Sequence, residues 1–167
     1  MSGAAAPTRR ALLVAAGAAP LALAAAASAA PASDLDILER LLLRERRLEA
    51  AYDGALRRGV LGKQLGASLR DQERDHARGI EMALTARGRR APEAPEADRR
   101  LAATLRSRAA FAAYALGLEG RAVQAYVDAL ASLRDTRLLQ PLGAIMASEA
   151  QHQVALRMTL GEPLLGV

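Results

Sequence analysis

The chain has two histidines, and each stands three residues after a glutamate: Glu73 before His76, and Glu149 before His152. Each pair is preceded by a lone glutamate with a tyrosine seven residues further on, Glu45 with Tyr52 and Glu119 with Tyr126. With ten glutamates in 167 residues, the chance that both histidines would carry one at that offset is roughly a few in a thousand. The order Glu, Tyr, Glu-x-x-His therefore occurs twice, over 31 residues from Glu45 to His76 and 33 from Glu119 to His152. Two copies at so long a period fit a helical hairpin duplicated about a pseudo-twofold axis inside one bundle, and argue against a solenoid.

A chain of this length buries one core, and with only 2% aromatic residues that core must be filled by alanine and leucine. Alanine, leucine and arginine are strong helix formers, and the β-branched residues are too few and scattered to supply strands, so the chain reads as all-α. The absence of cysteine excludes disulfides, iron–sulfur clusters and a rubredoxin-type site.

Compartment is read from the N-terminus. Arg9 and Arg10 precede an uncharged, alanine-rich run over 11–30, with small residues Ala27, Ser28 and Ala29 near its end. This pattern is similar to a twin-arginine export signal, which we place at residues 1–33, with cleavage near Ala29 or Ala30. Export to the periplasm, envelope or exterior follows, with a membrane tether if the signal stays uncleaved. The run is long enough to span a bilayer, but alanine inserts poorly and no aromatic belt flanks it. No cysteine follows that would carry a lipid.

Removing Arg9 and Arg10 from 23 basic and 18 acidic side chains leaves a net charge of about +3. The remaining arginines alternate with acids, as from Arg44 to Arg47 and from Arg70 to Asp75, the pattern of a solvated helix face. Nucleic acid is therefore not an expected partner.

Four helices follow from spacing. The first starts at Ser33 or Asp34, carries Leu38, Leu41, Leu42, Leu48, Tyr52 and Leu56, and ends at Gly59. The second runs from about Lys63 to Arg87 with Gly88 as its cap. A linker with Pro92 and Pro95 leads to a third, from near Asp98 through Leu101, Leu105, Ala112, Leu116 and Tyr126 to Leu130. Asp135 or Thr136 caps the fourth, where Pro141 is tolerated only near the first turn.

Glu45, Glu73, Glu119 and Glu149 each lie within an apolar stripe and so face the core. Isolated buried carboxylates are too costly to keep ionised without a counter-charge. Two divalent ions supply it: four carboxylates, two such ions and two neutral imidazoles sum to zero. The midpoint of Glu45 and Glu73 is Gly59, and that of Glu119 and Glu149 is Arg134, next to Asp135. Both pairs thus stand 14 or 15 residues from a turn, roughly 21 Å at the helical rise, so the two layers can meet at one level. A spacing of three puts Glu73 with His76, and Glu149 with His152, on one helix face.

These motifs resemble the ferritin-like superfamily, with its paired Glu and Glu-x-x-His helices, as in bacterioferritin and the rubrerythrin bundle. The resemblance covers residues 34–160, and the segments Leu118–Tyr126 and Ser148–Arg157 are most similar to exported bacterial ferritin-like proteins. It implies a four-helix bundle over 34–167, built of two antiparallel hairpins joined by a crossover through Gly88–Ala97. It further implies that Glu45 with His76 holds one metal, Glu119 with His152 the other, and that Glu73 and Glu149 bridge them. Tyr52 and Tyr126 are candidates to hydrogen-bond a ligating carboxylate or to donate an electron; packing is the alternative. Tyr114 lacks the spacing and is assigned to packing. The chain departs from the bacterioferritin pattern at Gln72 and Ser148, where an acid is expected to orient an imidazole.

Oxygen-rich sites with one imidazole per ion suit two iron ions, with manganese the alternative. The implied activity is ferrous oxidation or the reduction of dioxygen or peroxide, in iron handling or oxidative stress, with a separate electron donor. Only Gly161–Val167 follow the fourth helix, so a 24-subunit storage cage is not expected; a homodimer is plausible by analogy. Two other readings stay open: a non-catalytic metal-binding or stress-protective bundle, and a metal-free helical interaction module.

Overall fold

The structure, a computed structural model, describes residues 32–96 and 98–163. The export segment read from the sequence lies almost wholly outside these residues.

Ser33 accepts a hydrogen bond from the Asp36 backbone N–H at 3.2 Å, and the Asp36 carboxylate accepts from the Ser33 N–H at 3.2 Å. This reciprocal cap satisfies two otherwise orphaned donors and starts α1 (Asp34–Arg58). α1 stops at Gly59, whose φ of +66° is open to glycine at little cost, so that Val60 N–H can reach back to the Ala55 carbonyl at 3.2 Å. After a four-residue connection, α2 (Lys63–Thr85) returns antiparallel. It ends two residues earlier than the sequence suggests, and Gly88, at φ +73°, closes the turn with Arg89 N–H donating to the Leu84 carbonyl at 3.0 Å.

The third helix read from the sequence as continuous is two. α3 is a single turn (Leu101–Thr104), and α4 spans Arg108–Ser132. Ser107 makes the break: its backbone is extended and its hydroxyl accepts from Ala110 N–H at 3.2 Å, capping α4. The break lets α3 lie across the end of the bundle, where Leu101 and Leu105 cover Gly54 of α1; a methyl there would stand 3.5 Å from each. A 3-10 turn (Thr136–Leu138), capped by the Asp135 carboxylate, leads into α5 (Leu139–Leu160). Pro141 falls in the first turn of α5, where its missing N–H breaks no helical bond.

α1 packs chiefly on α2 and α4 on α5, while α1 also meets α4, so two antiparallel hairpins form one four-helix bundle. Polar ties hold the crossover and the turns. Arg46 of α1 donates to the Pro92 carbonyl and to Glu81 of α2, the latter at 3.2 Å. Asp34 accepts from the backbone N–H groups of Arg134 and Asp135 at 3.0 and 2.8 Å, and Arg87 donates to Asp135 at 2.6 Å.

The core consists of two apolar clusters. One gathers Leu48, Tyr52, Leu69, Phe111, Leu118 and Leu156, with Phe111 edge-on to Tyr52 at 5.9 Å. The other gathers Leu38, Leu41, Leu42, Ile80, Leu84, Tyr126 and Leu142. Alanines on the inner faces, such as Ala51, Ala55, Ala112, Ala115 and Ala122, are buried and let the helices approach closely. Between the clusters, at mid-bundle, lies a layer of acids and imidazoles.

Candidate metal centre

Each inner helix contributes to that layer: Glu45 from α1, Glu73 and His76 from α2, Glu119 from α4, and Glu149 and His152 from α5. All four carboxylates are fully buried. Their flanking leucines and alanines occupy the same faces, so the spacing that builds the core also drives the acids inward.

The six side chains form two groups of four that share Glu73 and Glu149. Glu45, Glu73, His76 and Glu149 make one; Glu73, Glu119, Glu149 and His152 make the other, with ligand atoms in each group within 4.8 Å of one another. His76 Nδ1 stands 2.9 Å from Glu149 Oε1, 3.4 Å from Glu45 Oε2 and 3.8 Å from Glu73 Oε2. His152 Nδ1 stands 2.9 Å from Glu73 Oε1, 3.5 Å from Glu119 Oε1 and 3.6 Å from Glu149 Oε2. Each shared carboxylate therefore turns one oxygen to each histidine. The imidazole rings lie nearly parallel, 18° apart with centroids 6.0 Å from one another.

These atoms are close, and the nearest contacts, at 2.9 Å, are ion pairs when the imidazoles are protonated, yet none is set in hydrogen-bond geometry. Glu45 Oε2, both oxygens of Glu73 and Glu149, Glu119 Oε2 and both Nδ1 atoms are buried without a hydrogen-bond partner. Four carboxylates and two imidazoles at one level of a core forfeit their hydration, and these contacts offset that cost only in part, so packing alone does not account for the cluster. Two ligand atoms about 2.1 Å from a common ion, subtending a right angle, stand about 3 Å apart. The nearest N–O separations match that value, and the cluster can hold metal ions.

Electrostatics follow from burial and crowding. Burial pushes Glu45 up to about 8, even though His76 pulls it down. Burial likewise pushes Glu119 up to about 9. Burial alone would lower the imidazoles, but the carboxylates outweigh it and raise His76 to about 11 and His152 to about 12. For Glu149, burial acts upward and is outweighed by His152 and His76, which hold it down at about 2.

Tyr52 and Tyr126 both reach the cluster, and they do so across the bundle. The Tyr52 hydroxyl donates to Glu119 Oε1, and the Tyr126 hydroxyl to Glu45 Oε1 at 2.8 Å. Each tyrosine thus serves the lone glutamate of the other hairpin. Burial and the neighbouring carboxylates raise both phenols well above their ordinary value, so they stay protonated donors. Tyr114 lies outside the site, with its hydroxyl donating to Asp98 at 2.8 Å.

Gln72 and Ser148, where the sequence lacks the expected acid, both lie against one histidine. His152 Nε2 is 3.3 Å from Gln72 Oε1 and 3.3 Å from Ser148 Oγ, and Ser148 donates to Gln72 Oε1 at 3.3 Å. Sequence reading missed this function because the glutamine acts on the histidine of the other hairpin. Its position directly before a shared glutamate was the available signal.

A model of the ferritin-like domain matches residues 33–162. No curated protein and no solved structure matches the chain. A match over most of the chain, on a bundle with this inner layer, leads to one conclusion: the protein belongs to the ferritin-like domain family.

Proposed function

We propose that this chain is an exported ferritin-like protein that holds two iron ions and oxidises ferrous iron, or reduces dioxygen or peroxide, at that centre. Manganese is the alternative metal. In this reading Glu45 and His76 hold one ion, Glu119 and His152 the other, and Glu73 and Glu149 bridge. The observation that carries it is the set of eight buried, unpartnered oxygen and nitrogen atoms, with each shared carboxylate divided between the two histidines. An oxygen-rich donor set with one imidazole per position suits iron or manganese better than a softer metal. When bound, a pair of ferrous ions supplies two electrons, which dioxygen or peroxide accepts together.

The chain's own residues do the rest. Apolar clusters above and below exclude water from the carboxylate layer. Tyr52 and Tyr126 fix one oxygen of each lone glutamate and leave the other free to ligate. Because burial raises Glu45 and Glu119 well above the usual carboxylate range, both hold protons that leave as ions bind. Arg9, Arg10 and the uncharged run after them support export, and the lack of cysteine supports a separate electron donor.

One observation favours a second reading, a metal-holding protein without turnover: of the six side chains, His76 alone is more than marginally exposed, at 13%. Adding ferrous ion under dioxygen or peroxide separates the two. The proposal expects oxidation well above the buffer rate, abolished by Glu73→Ala. Stable uptake of two ions without oxidation supports the second reading.

A further inference from the structure

The two halves of the centre are related by the sequence repeat, yet their histidines are not held alike. Gln72 Nε2 donates to the Ser68 carbonyl at 3.2 Å and to its hydroxyl at 3.1 Å. A carbonyl only accepts, so the amide nitrogen must face Ser68 and Oε1 must face His152. Oε1 can then accept only from a protonated His152 Nε2, 3.3 Å away, so Nδ1 is the nitrogen that gives up its proton and offers its lone pair when an ion enters the cluster.

The repeat places Ser148 where Gln72 stands, each directly before a shared glutamate. A serine side chain is two bonds shorter than that of glutamine. Ser148 turns to Gln72 and His152, and among the described residues His76 Nε2 has no protein hydrogen-bond partner. His76 is also the more exposed imidazole, at 13% against 3% for His152.

Resting on the two-metal reading above, we infer that the two ion positions are unequal. Gln72 pre-sets His152 so that the position at Glu119 and His152 fills first and tightly, while the position at Glu45 and His76 is weaker and exchanges with solvent. Gln72 is thus a positioning residue. It touches no ligated atom and acts through the ring nitrogen opposite the cluster. The asymmetry would give the centre one resident ion and one that enters and leaves on the His76 side.

Cobalt(II), followed by calorimetry and visible absorption, tests this without any turnover. The wild-type chain should bind two ions in steps at least about tenfold apart. Repulsion between the ions alone can separate steps, so the variants carry the assignment. Gln72→Met keeps the length and removes the acceptor; it should weaken the first step about tenfold, as loss of an outer partner does, drawing the two steps together while the second stays nearly unchanged. Gln72→Glu, which retains an acceptor, should restore the tight step. His76→Ala should keep the tight step and His152→Ala should lose it. Equal steps in the wild type, a tight step untouched by Gln72→Met, equal weakening of both steps, or the reverse histidine pattern would overturn the inference while leaving two-metal binding intact. Failure to bind any ion would refute the two-metal reading itself, and this inference with it. Circular dichroism of each variant confirms that the bundle has formed.

Discussion

Loading the centre with a divalent metal at pH 7 should expel about four protons per chain. The count comes from the site. With no ion present, burial holds Glu45 up at about 8 and Glu119 at about 9, while the carboxylates hold His76 at about 11 and His152 at about 12. All four groups are therefore protonated at pH 7. Glu149, held at about 2 by the two imidazoles despite its burial, has no proton to give. A ligating carboxylate must be ionised and a ligating imidazole neutral, so about two protons leave for each ion. Raising the pH toward 8 strengthens apparent binding by about a hundredfold per pH unit for each ion; above about 9 the glutamates are already ionised and the slope falls to about tenfold. Titration calorimetry with manganese or cobalt, in buffers of different ionisation enthalpy, reads the number directly from the slope of observed against buffer enthalpy. Two bound ions with fewer than one proton released would refute the reasoning, because the cluster could then not be a set of buried acids neutralised by protons until metal replaces them.

Two further outcomes are expected. Tyr126→Phe removes the donor to Glu45 Oε1 at 2.8 Å and leaves that buried oxygen unsatisfied, which should cost about 1–3 kcal/mol in urea unfolding; an unchanged midpoint would mean the phenol contributes only bulk. Glu49→Ala and Glu81→Ala should leave metal content unchanged, because these acids pair outward with Arg74 at 2.8 Å and with Arg46 at 3.2 Å. Loss of an ion from either variant, measured by elemental analysis, would contradict the separation of site from surface.

The bundle was legible because its turns are marked chemically. Ser33 and Asp36 announce a reciprocal cap, and Gly59 and Gly88 stand at positive φ, where other residues are strained. The break between α3 and α4 was not read, because Leu101, Leu105 and Ala112 continue an apolar stripe at helical spacing with no glycine or proline between them. Ser107 was the only local sign, and a serine ends a helix only when its hydroxyl is free to cap. The depth of the four glutamates could be read from their places in the stripes. Which tyrosine serves which glutamate could not, since spacing along one helix says nothing about the partner across the bundle. The same limit hid Gln72: its target is fixed by packing between hairpins and by the Ser68 carbonyl that sets its amide.

Elemental analysis of protein purified without chelator and then offered ferrous or manganous ion tests the central claim most directly. The account predicts about two ions per chain in the wild type and loss of two-ion binding in Glu73→Ala and in Glu149→Ala, since each removes a carboxylate shared by both positions. A wild-type chain that refuses both metals, or variants that keep two ions, would contradict it.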